Sequence, residues 1–179
     1  MKDLSIDLET MGTKAGCPVM SIGAVYFDPL TGETGAEFYM TISLESCMEV
    51  GLIPEADTIM WWMQQSDEAR GEFVRKIKHP IRKVLNEFFE FAKGSRPWGN
   101  GATFDVSILE HALGAIGRPA PWKFWEIRDV RTVVDLVMRV ESVDLRSSIF
   151  EGEKHNALDD AKHQAKMVSR GFRLLKDAQ

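Results

Sequence analysis

Apolar and polar residues alternate with a period of two near the start of the chain. In a β-strand this alternation places Leu4, Ile6 and Leu8 on one face and Asp7 and Glu9 together on the other. Two carboxylates about 4 Å apart repel each other by roughly 4 kcal/mol at a near-surface dielectric. A hard divalent cation such as Mg²⁺ removes that cost, because it prefers carboxylate oxygens. The first strand is therefore a candidate metal site.

Two further strands are predicted directly afterwards. Residues 19–27 are largely apolar, residues 36–44 form another strand-like segment, and the sequence Asp-Pro-Leu-Thr-Gly at 28–32 between them is typical of a turn. A meander of three strands is therefore expected to open the fold.

Helical periodicity dominates the rest of the chain. It is clearest from Pro80 to Gly94, where apolar residues recur every three or four positions. We also predict a short strand over 96–99 and irregular segments over 118–131 and 141–154. Further helices are predicted over 57–65, 67–77, 132–140 and 157–176, with one more from Thr103 to Gly114 or Gly117. Ser66 is the predicted cap of the helix over 67–77. This order predicts a single α/β domain over residues 1–179, with a mixed central sheet flanked by helices.

Composition excludes little. The chain is 27% charged and 44% hydrophobic, and no run of 18 apolar residues occurs, so we expect no membrane span and no membrane partner. The first strand follows Met1 so closely that we expect no signal peptide. Cys17 and Cys47 lack metal-ligand spacing and are interpreted as reduced thiols of a cytoplasmic protein. A net charge of -5 argues against general nucleic-acid binding, but not against a nuclease whose own carboxylates hold cations.

Two more acids fall at helix starts. Asp105 lies in the first turn of a helix that follows a strand, a usual position for a site residue in an α/β fold. Asp160 lies in the first turn of the last predicted helix, and His155 precedes that helix. Five residues apart on a regular helix, the two side chains would point about 140° apart. We therefore expect His155 in the preceding loop, turned toward the carboxylate. Asp159 is the alternative to Asp160 as the ligand. Asp105 and Asp160 would also each suit a helix N-terminus without any metal.

The order and spacing of these residues resemble the DEDDh group of 3′→5′ exonucleases, which have the ribonuclease H-like fold. The motifs that carry the resemblance are Asp7-x-Glu9-Thr10, Phe104-Asp105 and His155-x₄-Asp160. Segments 58–70 and 124–132 are similar to those of phage DexA-type exonucleases and related bacterial exoribonucleases. Many relatives have Asn four residues before the middle Asp, whereas this chain has Gly101 there.

The resemblance implies a two-metal-ion mechanism with Mg²⁺ or Mn²⁺. The resemblance implies that Asp7 would bridge both ions. Glu9 and Asp160 would complete the site of the first ion, and Asp105 would support the second ion. His155 would be the general base, a task that suits imidazole because its ordinary pKa is about 6.5. The product would be a nucleoside 5′-monophosphate, and relatives of this kind suggest a homodimer.

Substrate contacts are expected from small, aromatic and basic residues near the acids. The residues Thr10, Met11 and Gly12 allow close approach of a ligand to the backbone, and the further candidates are Trp61, Trp62, Phe104 and Arg128. Neighbouring tryptophans on a helix point about 100° apart, so at most one of the pair is expected to face the site while the other packs. Trp122, Phe124 and Trp125 are expected in the core or at a subunit contact, and the basic residues of 75–83 form either a solvated surface or a guide for phosphates.

We therefore predict a metal-dependent 3′→5′ exonuclease acting on single-stranded DNA or RNA 3′ ends. Two other functions are compatible with parts of this pattern. One is an endonuclease of the ribonuclease H type, which the His155-x₄-Asp160 arrangement disfavours. The other is a catalytically silent nucleic-acid-binding or interaction module, which would gain nothing from four convergent carboxylates.

Overall fold

A computed structural model describes residues 1–74 and 77–177, and these residues build a five-stranded mixed sheet. The strands are β1 (Asp3–Thr10), β2 (Val19–Phe27), β3 (Thr34–Thr41), β4 (Arg96–Gly99) and β5 (Arg128–Asp129). Their order across the sheet is β3-β2-β1-β4-β5. The meander β1–β3 is antiparallel, whereas β4 and β5 run parallel to β1. The predicted mixed sheet is confirmed.

Seven α-helices lie within the described residues. They are α1 (Leu44–Glu49), α2 (Ala56–Met63), α3 (Asp67–Val74), α4 (Ile81–Ala92), α5 (Asp105–Ala115), α6 (Val130–Glu141) and α7 (Ala157–Asp177). None of the seven combines the length and the apolar character that a membrane crossing requires.

Four local expectations need correction. The third strand ends at Thr41 rather than at residue 44, because Ser43 caps the unpredicted helix α1 by accepting a hydrogen bond from the Ser46 N–H. The segment 118–131 was predicted to be irregular but contains β5, whose two residues are too few to show an alternating pattern. Residue 104, and not Thr103, is the N-cap of α5, and its side chain makes no cap hydrogen bond. The predicted loop 141–154 contains a short 3₁₀ turn over 145–147.

Helices cover both faces of the sheet. Leu4, Ile6 and Leu8 of β1 pack with α4 and α5 on one face. The opposite face of β2 packs Val25 and Phe27 against α6 and α7. Asp7 and Glu9 therefore point toward the side that α7 covers, as the alternating pattern predicted.

A glycine lets α7 approach the sheet closely. A Cβ on Gly23 of β2 would lie 2.0 Å from the carbonyl carbon of Ala157, the first residue of α7. Any larger residue at position 23 would push the helix start away. Because Gly23 is paired with Asp7 across the strands, this contact sets the distance between the β1 acids and the start of α7.

Both cysteines are buried and unbridged. Burial raises the pKa of Cys17 to about 11 and that of Cys47 to about 12. The thiols thus behave as packing residues and not as nucleophiles.

Candidate active site

A cleft of about 680 Å³ opens where β1, α2 and the start of α7 meet. Its floor is formed by Asp7 and Glu9, and its walls include Trp61 and His155. The cleft therefore contains both of the acidic motifs that lie at opposite ends of the sequence.

Three carboxylates converge in this cleft. One oxygen each from Asp7, Glu9 and Asp160 lies within 4.8 Å of the other two. Oxygen donors at such spacing fit a hard cation such as Mg²⁺ or Mn²⁺, and α7 brings Asp160 over the strand that carries the other two.

Asp105 reaches the same cluster from a different direction. It is the first residue of α5, which follows the end of β4 after residues 100–104, and it is only 3% exposed. After burial, its charge is the largest cause of the raised pKa of Asp7, so the two carboxylates lie close together. Asp7, Glu9 and Asp160 therefore lie together, and Asp105 lies near Asp7 but outside the residues that line the cleft.

The cluster is electrostatically strained in the absence of a cation. Burial, followed by the charges of Asp105, Glu9 and Asp160, raises the pKa of Asp7 well above its ordinary value. Burial likewise raises the pKa of Asp105 to about 7, against the lowering effect of nearby backbone amides. A bound cation would favour the ionised carboxylates and relieve this repulsion.

His155 lies in the loop before α7, as its separation from Asp160 predicted. It adopts a left-handed backbone conformation with φ of 65°. Its backbone N–H donates a 2.9 Å hydrogen bond to Oδ2 of Asp160. The imidazole packs edge-on against Trp61 and Trp62, with ring centroids 5.5 and 5.9 Å away. The strained turn thus directs the imidazole into the cleft.

The side chain of Asp159 makes different contacts from that of Asp160. Its Oδ2 accepts a 2.9 Å hydrogen bond from the backbone N–H of Glu153, and its carboxylate packs beside Gly152. It therefore supports the loop that leads to α7, while Asp160 lies with Asp7 and Glu9.

Gln164 is a functional candidate that the motif reading missed. Its Nε2 donates a 2.7 Å hydrogen bond to Oδ1 of Asp7, and the residue is only 3% exposed. The signal was present in the sequence, because Gln164 lies one helical turn after Asp160 and so shares its face of α7. This amide holds one oxygen of Asp7 and lowers the pKa of that carboxyl.

The expectation for the two tryptophans of α2 holds only in part, because Trp62 packs but both rings border the cleft. Trp62 is 5% exposed and donates from its indole Nε1 to the backbone carbonyl of Thr10 at 2.9 Å. Trp61 is 43% exposed, and both rings border the cleft. Trp61 thus offers an accessible aromatic face beside the acids.

The other predicted substrate contacts are distributed unevenly. Thr10, Gly12 and Phe104 line the cleft. The side chain of Met11 packs instead with Met20 and Trp62 in a small hydrophobic cluster. Arg128 lies outside the cleft lining, because its guanidinium donates to the backbone carbonyls of residues 125 and 127.

The aromatic residues that precede β5 differ in burial. Trp122 is buried, as expected for a core residue. Phe124 and Trp125 are 78% and 57% exposed, which excludes the core and leaves the subunit contact as the alternative for these two. In the basic segment, residues 75 and 76 lie outside the described residues, while Arg82 and Lys83 are exposed on α4, across the sheet from α7.

The departure at Gly101 has a structural counterpart. Gly101 has φ of 102°, and a Cβ there would lie 2.9 Å from the guanidinium carbon of Arg131. The glycine therefore leaves room for the guanidinium group of Arg131. The charge of Arg131 also lowers the pKa of Asp105.

Comparison with known proteins defines the class. Residues 2–172 match the model of the 3′-5′ exoribonuclease Rv2179c-like domain, and the chain belongs to this family. It is also 26% identical over 172 residues to an exodeoxyribonuclease of enterobacteria phage T4, covering 80% of this chain and 75% of the phage enzyme. The protein is a 3′→5′ exonuclease, which confirms the predicted enzyme class.

Solved structures support the fold. Exonuclease X in complex with 5′-overhanging duplex DNA is similar over 96% of this chain and 91% of its own, with a TM-score of 0.57 and 12% identity. The nuclease domain of 3′hExo, a DEDDh family member bound to rAMP, gives a TM-score of 0.54 and 17% identity, over 98% of this chain and 92% of its own. The ribonuclease H-like fold is thus confirmed.

Proposed function

We propose that the protein hydrolyses single-stranded nucleic-acid 3′ ends one nucleotide at a time, with two divalent ions and a histidine base. The convergence of three carboxylate oxygens within 4.8 Å carries this proposal. Asp7, Glu9 and Asp160 would hold one Mg²⁺ or Mn²⁺, and Asp7 with Asp105 would hold the second. Bound ions would activate a water and stabilise charge at the scissile phosphate.

The chain's own groups would do the remaining chemistry. A ring nitrogen of His155 takes a proton from the attacking water as the water oxygen bonds to phosphorus. The bond to the 3′ oxygen of the preceding nucleotide breaks, and that oxygen takes a proton from solvent. The products are a nucleoside 5′-monophosphate and a strand one nucleotide shorter. Asp160 holds the backbone of His155, and the tryptophan rings restrict the imidazole.

The terminal nucleotide would be held by contacts that tolerate any base. Trp61 and Phe104 offer aromatic surface at the cleft, and stacking contributes about 1 to 3 kcal/mol per base without reading sequence. A stacked base must be free of its partner strand, which favours single-stranded ends. The family description favours RNA and the phage relative favours DNA, so matched DNA and RNA oligomers of one sequence are the direct comparison.

Direction is tested by blocking the ends. A 3′ phosphate should slow digestion strongly, because the cleft must receive the terminal nucleotide, whereas a 5′ block should have little effect. Both are measured on labelled single strands by gel electrophoresis. Efficient cutting of a circular single strand would contradict the proposal and favour the endonuclease rival.

Gln164→Met should weaken metal binding, because methionine keeps the length of the side chain but lacks the amide that holds Asp7. Loss of such an orienting partner typically costs about 10- to 100-fold in metal affinity or activity. Titration calorimetry with Mn²⁺ measures the affinity, and excess metal should restore cleavage.

Ser169→Ala is the matched control for this change. Ser169 is also buried on α7, but its hydroxyl hydrogen-bonds to the backbone carbonyls of Asp28 and Ala165. Its replacement should leave metal affinity unchanged. Equal affinity of wild type and Gln164→Met would show that the amide does not position Asp7.

We also propose a homodimer in the cytoplasm. The exposed aromatic pair Phe124 and Trp125 is suited to a subunit contact, and analytical ultracentrifugation of Trp125→Ala beside wild type tests it.

A cytoplasmic location would keep the two cysteines reduced, and cell fractionation tests this location.

A further inference from the structure

A strip of basic residues follows the outer face of α7. Lys166, Arg170 and Arg173 recur at intervals of four and three residues, so they lie on one side of the helix, and all three are exposed. The chain as a whole carries a net charge of -5, so these three cations run against the overall charge.

The strip borders a cleft of its own. This cleft, called here the α7 cleft, has a volume of about 460 Å³ and is lined by Ser147, Ser148, Ile149, His163 and the three basic residues. Nη1 of Arg170 donates to Oγ of Ser148 at 2.9 Å. The segment 147–149 thus forms one wall and α7 the other.

The charge balance of the α7 cleft is positive. Lys166 forms an ion pair with Glu151 at the rim. Within the described residues, Arg170 and Arg173 have no ion pair with a carboxylate. Two guanidinium groups are therefore available for an anion, and the planar guanidinium suits phosphate oxygens.

The α7 cleft is connected to the active site through α7 and the loop before it. Asp160 lies six residues before Lys166, which corresponds to about 9 Å along the helix axis. Lys154 is exposed in the loop directly before His155. Basic residues thus lie both beside the active site, at Lys154, and along α7 from Lys166 to Arg173.

We propose that the α7 cleft binds the phosphate backbone of the substrate strand upstream of its 3′-terminal nucleotide. The proposal rests on the proposed function. Lys166 and Arg173 are about 10 Å apart along the helix axis, which matches about three 3.4 Å steps of a stacked strand. A phosphate at Lys166 would replace Glu151 as its anionic partner. The site reads charge and not sequence, so it accepts DNA or RNA.

The test compares a long and a short substrate. We expect Arg170→Gln/Arg173→Gln to raise KM for a 20-nucleotide single strand by about 10-fold without changing kcat. The slope of log affinity against log salt should fall by about 1.4, because two phosphate contacts of a single strand contribute about 0.7 each. Cleavage of a dinucleotide, which is too short to reach the α7 cleft, should stay at the wild-type rate.

Arg82→Gln/Lys83→Gln is the matched control, because it removes the same charge from α4 on the other face of the sheet. Its KM for the long strand should equal that of wild type. A rise in KM for the long strand in this control equal to the rise in the α7 variant would overturn the proposal. A loss of dinucleotide cleavage in the α7 variant would also overturn it. So would an unchanged KM for the long strand in the α7 variant. If wild type cleaves neither substrate, the proposed function itself is wrong.

Discussion

Asp7→Asn is expected to abolish cleavage while leaving the fold intact. Asp7 lies at the centre of the cluster, with Glu9, Asp105 and Asp160 all close enough to raise its pKa. The amide removes an anionic oxygen that both ions would share. Turnover on a labelled single strand and a circular dichroism spectrum measure the two effects. Wild-type turnover in this variant would refute the metal assignment.

The same variant should be as stable as wild type in EDTA, or more stable, because one of the repelling charges is gone.

The pH dependence of wild-type stability follows from the raised carboxyl pKa values of Asp7 and Asp105. A carboxyl group whose pKa is higher in the folded than in the unfolded state adds to the free energy of unfolding. That contribution is fully present below the unfolded-state pKa and is lost as pH rises through the folded-state pKa. For Asp105 this window runs from 3.8 to about 7. The wild-type Tm in EDTA should therefore fall across it, and Mg²⁺ should restore it.

Two neighbouring acids supply a matched pair of variants. Asp160→Asn should lose turnover as Asp7→Asn does, because Asp160 lies with Asp7 and Glu9. Asp159→Asn should keep it, since the oxygen of the new amide still accepts the hydrogen bond from the Glu153 N–H. The opposite pattern would place the ligand at Asp159.

His155→Ala is expected to lower kcat by about 10²- to 10⁴-fold, the usual contribution of a positioned proton acceptor. Metal affinity should persist, because the proposed ligands are oxygens of other residues. Added imidazole should restore part of the rate, since the cleft beside Trp61 is open to solvent. Single-turnover kinetics and Mn²⁺ titration measure these effects. A parallel loss of metal binding would mean that His155 shapes the metal site, and a near-normal rate would place the base elsewhere.

Much of this architecture follows from local pattern. The alternation in β1 correctly placed Asp7 and Glu9 on the face opposite Leu4, Ile6 and Leu8. The helical periodicity after Pro80 likewise gave α4, and the observed bounds of β2 and β4 match the predicted ones. In each case burial of one face leaves a repeating signal that one chain suffices to show.

Other features depend on contacts that a local pattern does not contain. The two residues of β5 form a strand only because β4 lies beside them. Gln164 shares the face of α7 that carries Asp160, but only the fold places its amide against Asp7. Gly101 resembles a simple turn residue until Arg131 fills the space beside it. Arg128 was expected near the substrate, but nearby backbone carbonyls hold it outside the cleft.

The most direct measurement is a Mg²⁺ titration with a 5′-labelled single strand, resolved at one-nucleotide intervals. We expect no product in EDTA, then a ladder that shortens stepwise from the 3′ end as Mg²⁺ is added, with nucleoside 5′-monophosphates released. Internal fragments from the first turnover, or an equal ladder in EDTA, would contradict it.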